Sequence, residues 1–122
     1  MSWNLSKERP IYIQLVEQIK LQILSGHYRP GERFPSVREL ATEAAVNPNT
    51  MQKALAALEQ EGLLIGRRTN GRTVTSDASL IGSMRDELAD GIVENCYQAL
   101  AKLGFSKEEC IACLRKQRKE DL

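Results

Sequence analysis

One histidine in 122 residues leaves little for acid–base or metal chemistry. That residue, His27, follows a helix-stopping glycine and reads as a surface side chain. No glycine-rich phosphate loop follows a strand, and no nucleophile stands beside a plausible base. No catalytic constellation can therefore be assembled, and the chain is read as a non-enzyme that needs no cofactor and no metal. No apolar run approaches the roughly 20 residues of a membrane span. Residues 1–9 lack the pattern of a signal peptide, so a cytoplasmic protein without a membrane partner is expected. The three cysteines include "CIAC" at 110–113, but no βαβ pattern surrounds it, which excludes redox chemistry of the thioredoxin type. An excess of charge of one sign is missing too, since the formal net charge is only +1.

What is present is organised around Pro35 to Leu64, "PSVRELATEAAVNPNTMQKALAALEQEGLL". Ser36 opens a first helix as N-cap, with Glu39 three residues on completing the signature of a capping box. Val37, Leu40 and Ala41 form its core face. The pattern fades over Ala44 to Val46 and restarts at Asn47, an N-cap followed by Pro48 at the first helical position. Met51, Ala54, Leu55 and Leu58 then recur at three and four residues, one apolar stripe of a 3.6-period helix ended by Gly62. Two short helices joined by a tight turn make a helix-turn-helix.

The opposite face of the second helix carries Asn47, Asn49, Thr50, Gln52 and Lys53, none of them acidic. Amides and hydroxyls of this kind pair with base edges in a major groove, and a helix N-terminus favours phosphate oxygens. Arg38 sits in the first turn of its own helix, where the macrodipole disfavours a cation by about 0.3–1 kcal/mol. Placement against local preference suggests an outside anion; the bland alternative is a solvated surface arginine.

Beyond Gly62 the period changes to extended. "LLIGRRTNGRTVT" sets β-branched residues around Asn70-Gly71, a strong hairpin signal. Arg67, Arg68 and Arg72 flank this turn, and Gly62 to Ser76 contains no acidic residue. A basic hairpin beside such a helix can reach phosphates or an adjacent groove. Divided along the chain, the charge agrees: residues 1–76 hold 10 Lys and Arg against 7 Asp and Glu, whereas residues 77–122 hold 7 against 9. The basic excess lies with the motif.

The run "RPIYIQLVEQIKLQILSGHYRPGERFPSVRELATEAAVNPNTMQKALAALEQEGLL" resembles the winged-helix domain of the GntR family of bacterial transcription regulators over about the first 75 residues. "PGERFPSVRELA", "VNPNT" and "LEQEGLL" are specific in combination, and "VNPNT" with the short chain resembles the YtrA-like subfamily. The resemblance implies that Arg38, Asn47, Asn49 and Thr50 approach an operator, that Gly71 stands at the wing tip, and that the protein represses transcription as a dimer. The wing departs from the family's G-x-G-[TS]-[FY]-V, with Thr69, Arg72 and Thr73 at the first glycine, the small residue and the aromatic.

Elsewhere, Met1 to Glu8 reads as a loose lead with Trp3 and Leu5 able to tuck against the domain. Pro10 begins a helix whose buried stripe is Tyr12, Leu15, Val16, Ile19, Ile23 and Leu24, and Gly26 stops it. "HYRPGERF" turns at Pro30-Gly31 into an extended piece at Arg33 and Phe34 that could pair with the wing. From Asp77, Leu80, Met84, Leu88, Ile92, Cys96, Leu100 and Leu103 recur as one long amphipathic helix closed by Gly104. Ser106 with Glu109 makes a second capping box for a shorter helix carrying Cys110, Ile111, Cys113 and Leu114.

Two helices form too thin a layer to bury both apolar faces, and a second copy is the simplest partner. The fold expected is thus mainly α with a small β-hairpin wing: a winged helix-turn-helix domain over 1–76 and a two-helix dimerisation hairpin over 77–122. Leu80, Met84, Leu88, Ile92 and Leu100 would form the interface of a homodimer on a palindromic DNA operator. The appendage is too small for a dedicated effector domain, and no effector is named by these residues. The rival reading is a winged-helix module for protein contacts, against which the basic wing argues. The cysteines read as core residues; because Cys96 and Cys113 are equidistant from the turn, they could also face one another as an oxidant-sensitive pair.

Overall fold

The computed structural model describes residues 2–68 and 71–117. Helix α1 (Ile11–Leu24) is followed by α2 (Val37–Ala44), α3 (Pro48–Gln60), the hairpin β1 (Leu64–Arg67) and β2 (Gly71–Val74), then α4 (Ala78–Ala101) and α5 (Lys107–Lys116). Asn70 and Thr69, read above at the wing's turn, lie outside the described residues. The chain divides inside α4 into two units, Met1–Arg85 and Asp86–Leu122.

In the first unit, α1 packs along α3, and Leu15, Ile19, Ile23, Leu40, Met51, Leu55, Leu58, Leu63, Leu64 and Val74 are at most 1% exposed within a single cluster. This is the periodic stripe of each helix turned inward, the burial that stabilises short helices whose propensity alone would not. The hairpin is antiparallel, with Leu64 opposite Val74 and Arg67 opposite Gly71. The piece at Arg33 joins it through a bridge to Thr73, while Phe34 N–H donates to the Arg72 carbonyl at 2.9 Å and Val74 N–H to that of Glu32 at 2.8 Å. Gly62 has φ +86, and a Cβ there would stand 3.2 Å from Leu80 Cδ2, so both backbone and space require glycine at the helix-to-strand corner.

Two expectations need correction. The N-terminal lead is fastened rather than loose, because two glutamines of α1 act on it as a strand edge would. Gln14, 4% exposed, accepts from Ser6 N–H at 2.7 Å and donates to the carbonyls of Ser6 and Arg9, while Gln18 exchanges both bonds with the backbone of Asn4. Trp3 and Leu5 pack on the core, and Trp3 Nε1 donates to Glu43. The second correction concerns Leu80 and Met84, which have a partner within the chain: with Ile81 they pack against the winged-helix core. The cause is connectivity, since α4 starts four residues after β2 and its first two turns remain beside the domain.

In the second unit, α4 continues to Ala101 and α5 is opened by a complete capping box, Ser106 accepting from Glu109 N–H and Glu109 from Ser106 N–H. Glu108 and Glu109 in the first turn and Arg115 and Lys116 in the last suit the helix dipole. No residue of either helix is buried among those described. Burial first, then Cys96, Cys113 and Glu109, push the Cys110 thiol up. Cys96 is exposed and all three cysteines are free.

Candidate nucleic-acid interface

The turn between α2 and α3 is three residues long. Ala45 caps α2 in the left-handed region at φ 57, its N–H on the carbonyl of Thr42, and Val46 N–H closes onto that of Ala41. Asn47 then caps α3 with its side-chain oxygen on Asn49 N–H at 2.7 Å, and Pro48 occupies the first helical position. The Ser36 hydroxyl accepts from Glu39 N–H at 3.1 Å to open α2. These local bonds fix the helix-turn-helix angle and orient the Asn47 side chain, whose amide donors stay available to an outside partner.

Around this turn the side chains are arranged in two grades. Arg38, Asn49 and Gln52 are exposed and Thr50 is half-buried. Among the described residues Arg38 has no ion-pair partner, so its guanidinium presents a full fork of donors to solvent. Lys53 is exposed as well, but its ammonium stands 3.9 Å from the ring centroid of Tyr12, so a cation–π contact across α1 and α3 orients it. Lys20 and Glu61, 2.6 Å apart, tie the same two helices near the end of α3.

The wing arginines separate in the same way. Arg67 and Arg68 are exposed, with Arg67 Nε donating to Thr73 Oγ1 at 3.2 Å across the hairpin. Gly71 is exposed at the start of β2 with φ +71. Arg72 instead turns inward: its side chain is 15% exposed and its Nε is bound to Glu59 of α3. Charge counting missed Glu59 and Tyr12, because each acts through a partner on another element and neither carries a local signal.

The helix-turn-helix and its hairpin occupy the residues that match a known family. The family model described as bacterial regulatory proteins, gntR family, matches residues 11–74, from the start of α1 to the end of β2. The chain belongs to the GntR family of bacterial regulatory proteins. It is 32% identical over 111 residues to the HTH-type transcriptional regulator YhcF of Bacillus subtilis, covering 91% of this chain and 92% of that one. A GntR family transcriptional regulator from Listeria monocytogenes superposes with a TM-score of 0.86 at 38% identity, over 92% of this chain and 98% of the other. AraR(DBD) in complex with operator ORX1 superposes at 0.53 and 30% identity, over 62% of this chain and 92% of that one. GntR membership sets an enzyme aside, since the family and these relatives are regulators. It also accords with the described helices, none of which is long and apolar enough to cross a membrane.

Proposed function

We propose that this GntR protein is a sequence-specific DNA-binding repressor that holds a palindromic operator as a homodimer. The observation that carries the reading is the exposed set of Arg38, Asn49 and Gln52 at the N-terminal ends of α2 and α3. A helix entering a major groove by its N-terminal turns offers these side chains to base edges, with Thr50 and the amide of Asn47 beside them. Arg67 and Arg68 on the wing supply phosphate contacts, and the likeness to the operator-bound AraR domain supports DNA as the ligand.

Support for the dimer comes from Asp86–Leu122. Ile92, Val93, Leu103 and Leu114 are 65–75% exposed, and Leu88 and Ile111 are 40% and 43% exposed, apolar side chains left uncovered among the described residues. With Leu80 and Met84 engaged at home, Leu88, Ile92 and Leu100 remain as the interface residues of α4. A two-fold dimer would set two α3 helices on half-sites about one helical turn apart, or a multiple of it. A gel shift with duplexes from the protein's own upstream region, run beside sedimentation of the same sample, tests both halves. Retarded specific duplex from a dimeric species is the expected result. Absence of a shift would instead favour a winged-helix module for protein contacts. In vitro transcription from the bound promoter then decides repression, which predicts fewer transcripts as protein is added.

A further inference from the structure

Arg72 and Glu59 join three elements at one point. Glu59 lies at the C-terminal end of α3, Arg72 on β2, and Gly66, the β1 partner of Arg72, lies beneath the carboxylate. A Cβ on Gly66 would come 3.3 Å from Glu59 Oε1 and 3.4 Å from Oε2, so the strand leaves room for the carboxylate by carrying no side chain there. Glu59 holds the Nε edge of the guanidinium and so fixes its position, and its carboxylate largely cancels the contribution of Arg72 to the wing's field. The wing's net cations are therefore Arg67 and Arg68.

We infer that Glu59 and Arg72 form a latch that fixes the wing to the recognition helix, so that Arg67 and Arg68 meet the DNA backbone in register with the bases reached by Asn49 and Gln52. Arg72 is on this account a positioning residue and not a DNA ligand. The inference rests on the DNA-binding function proposed above and deepens it.

The sign of one substitution separates the two roles. Glu59→Ala removes a negative charge from beside the DNA and frees Arg72. If Arg72 were a phosphate ligand in waiting, affinity would rise and the slope of log K against log salt would steepen by about one. The latch requires the opposite: affinity about tenfold weaker and a flatter slope, despite the more positive protein. Gly66→Ala keeps both charges but displaces the carboxylate, and weakens binding in the same direction.

The measurement uses the full chain, a duplex selected by the wild type from a random pool, and an unrelated duplex as control. Exchange of the pair, Glu59→Arg with Arg72→Glu, preserves net charge and the ion pair. Recovery to within about threefold of wild type, where Arg72→Glu alone loses far more, sustains the latch. Tighter binding by Glu59→Ala, or an exchange variant as weak as Arg72→Glu alone, overturns it. The exchange keeps the outcome decisive even if Glu59→Ala lowers thermal stability. A wild type that selects no duplex overturns the DNA-binding function itself, a different failure.

Discussion

The two units of this chain are stabilised on different terms. Met1–Arg85 closes around an apolar cluster in which Leu15, Ile19, Met51, Leu55 and Leu58 are fully buried, while Asp86–Leu122 buries no described side chain of α4 or α5. Helical propensity and caps can shape the second unit but cannot hold it, because a short isolated helix in water is marginal and most helix stability comes from packing. The contrast teaches that completeness of a core, not helix content, marks which part of a chain is self-sufficient. It also locates the surface most in need of a partner.

Substituting one buried and one exposed apolar residue should divide the units most sharply. Leu55→Ala, in the core between α1 and α3, is expected to cost about 2–5 kcal/mol in urea unfolding, whatever the protein concentration. Ile92→Asp, at 65% exposure on α4, should leave the winged-helix core spectroscopically unchanged yet yield a monomer in sedimentation, with weaker operator binding. Loss of the winged-helix core in Ile92→Asp would collapse the distinction between the two units.

A smaller effect is expected at Arg38, where the comparison is between binding and stability within the first unit. Arg38→Ala should lose about 1–3 kcal/mol of operator affinity and relax preference at one base position per half-site. Its unfolding curve should overlay that of the wild type, since the guanidinium has no ion-pair partner among the described residues. An unchanged affinity would remove Arg38 from the interface.

The smallest effect concerns Ala45, the only non-glycine residue at positive φ among those described. Ala45→Gly should raise the unfolding free energy by about 1 kcal/mol, because glycine adopts the left-handed cap without the Cβ clash. Calorimetry checks this, and a lower Tm would mean that the greater freedom of glycine in the unfolded chain outweighs the relieved strain.

Much of the architecture was legible because it is written in local chemistry. Ser36, Asn47-Pro48 and Ser106 announce helix starts whose bonds close within three residues, and the three-and-four spacing of Met51, Ala54, Leu55 and Leu58 announces a buried stripe. The candidate interface was legible in part: Arg38, Asn49, Gln52, Arg67 and Arg68 are exposed as a polyanion-binding surface requires. Arg72 and Lys53 were not separable from them by sequence, since a basic side chain reads the same whether it faces solvent, a carboxylate or a ring.

The sequence by itself determined where helices begin and end, which face of each is apolar, and that a basic hairpin follows the second short helix, because all of these depend on neighbours within a few residues. Only the tertiary structure decided that Gln14 and Gln18 hold the N-terminal segment, that Tyr12 orients Lys53, that Arg72 is claimed by Glu59, and that Leu80 and Met84 belong to the first core. Each depends on which distant segment arrives alongside, and a short-range pattern carries no record of that.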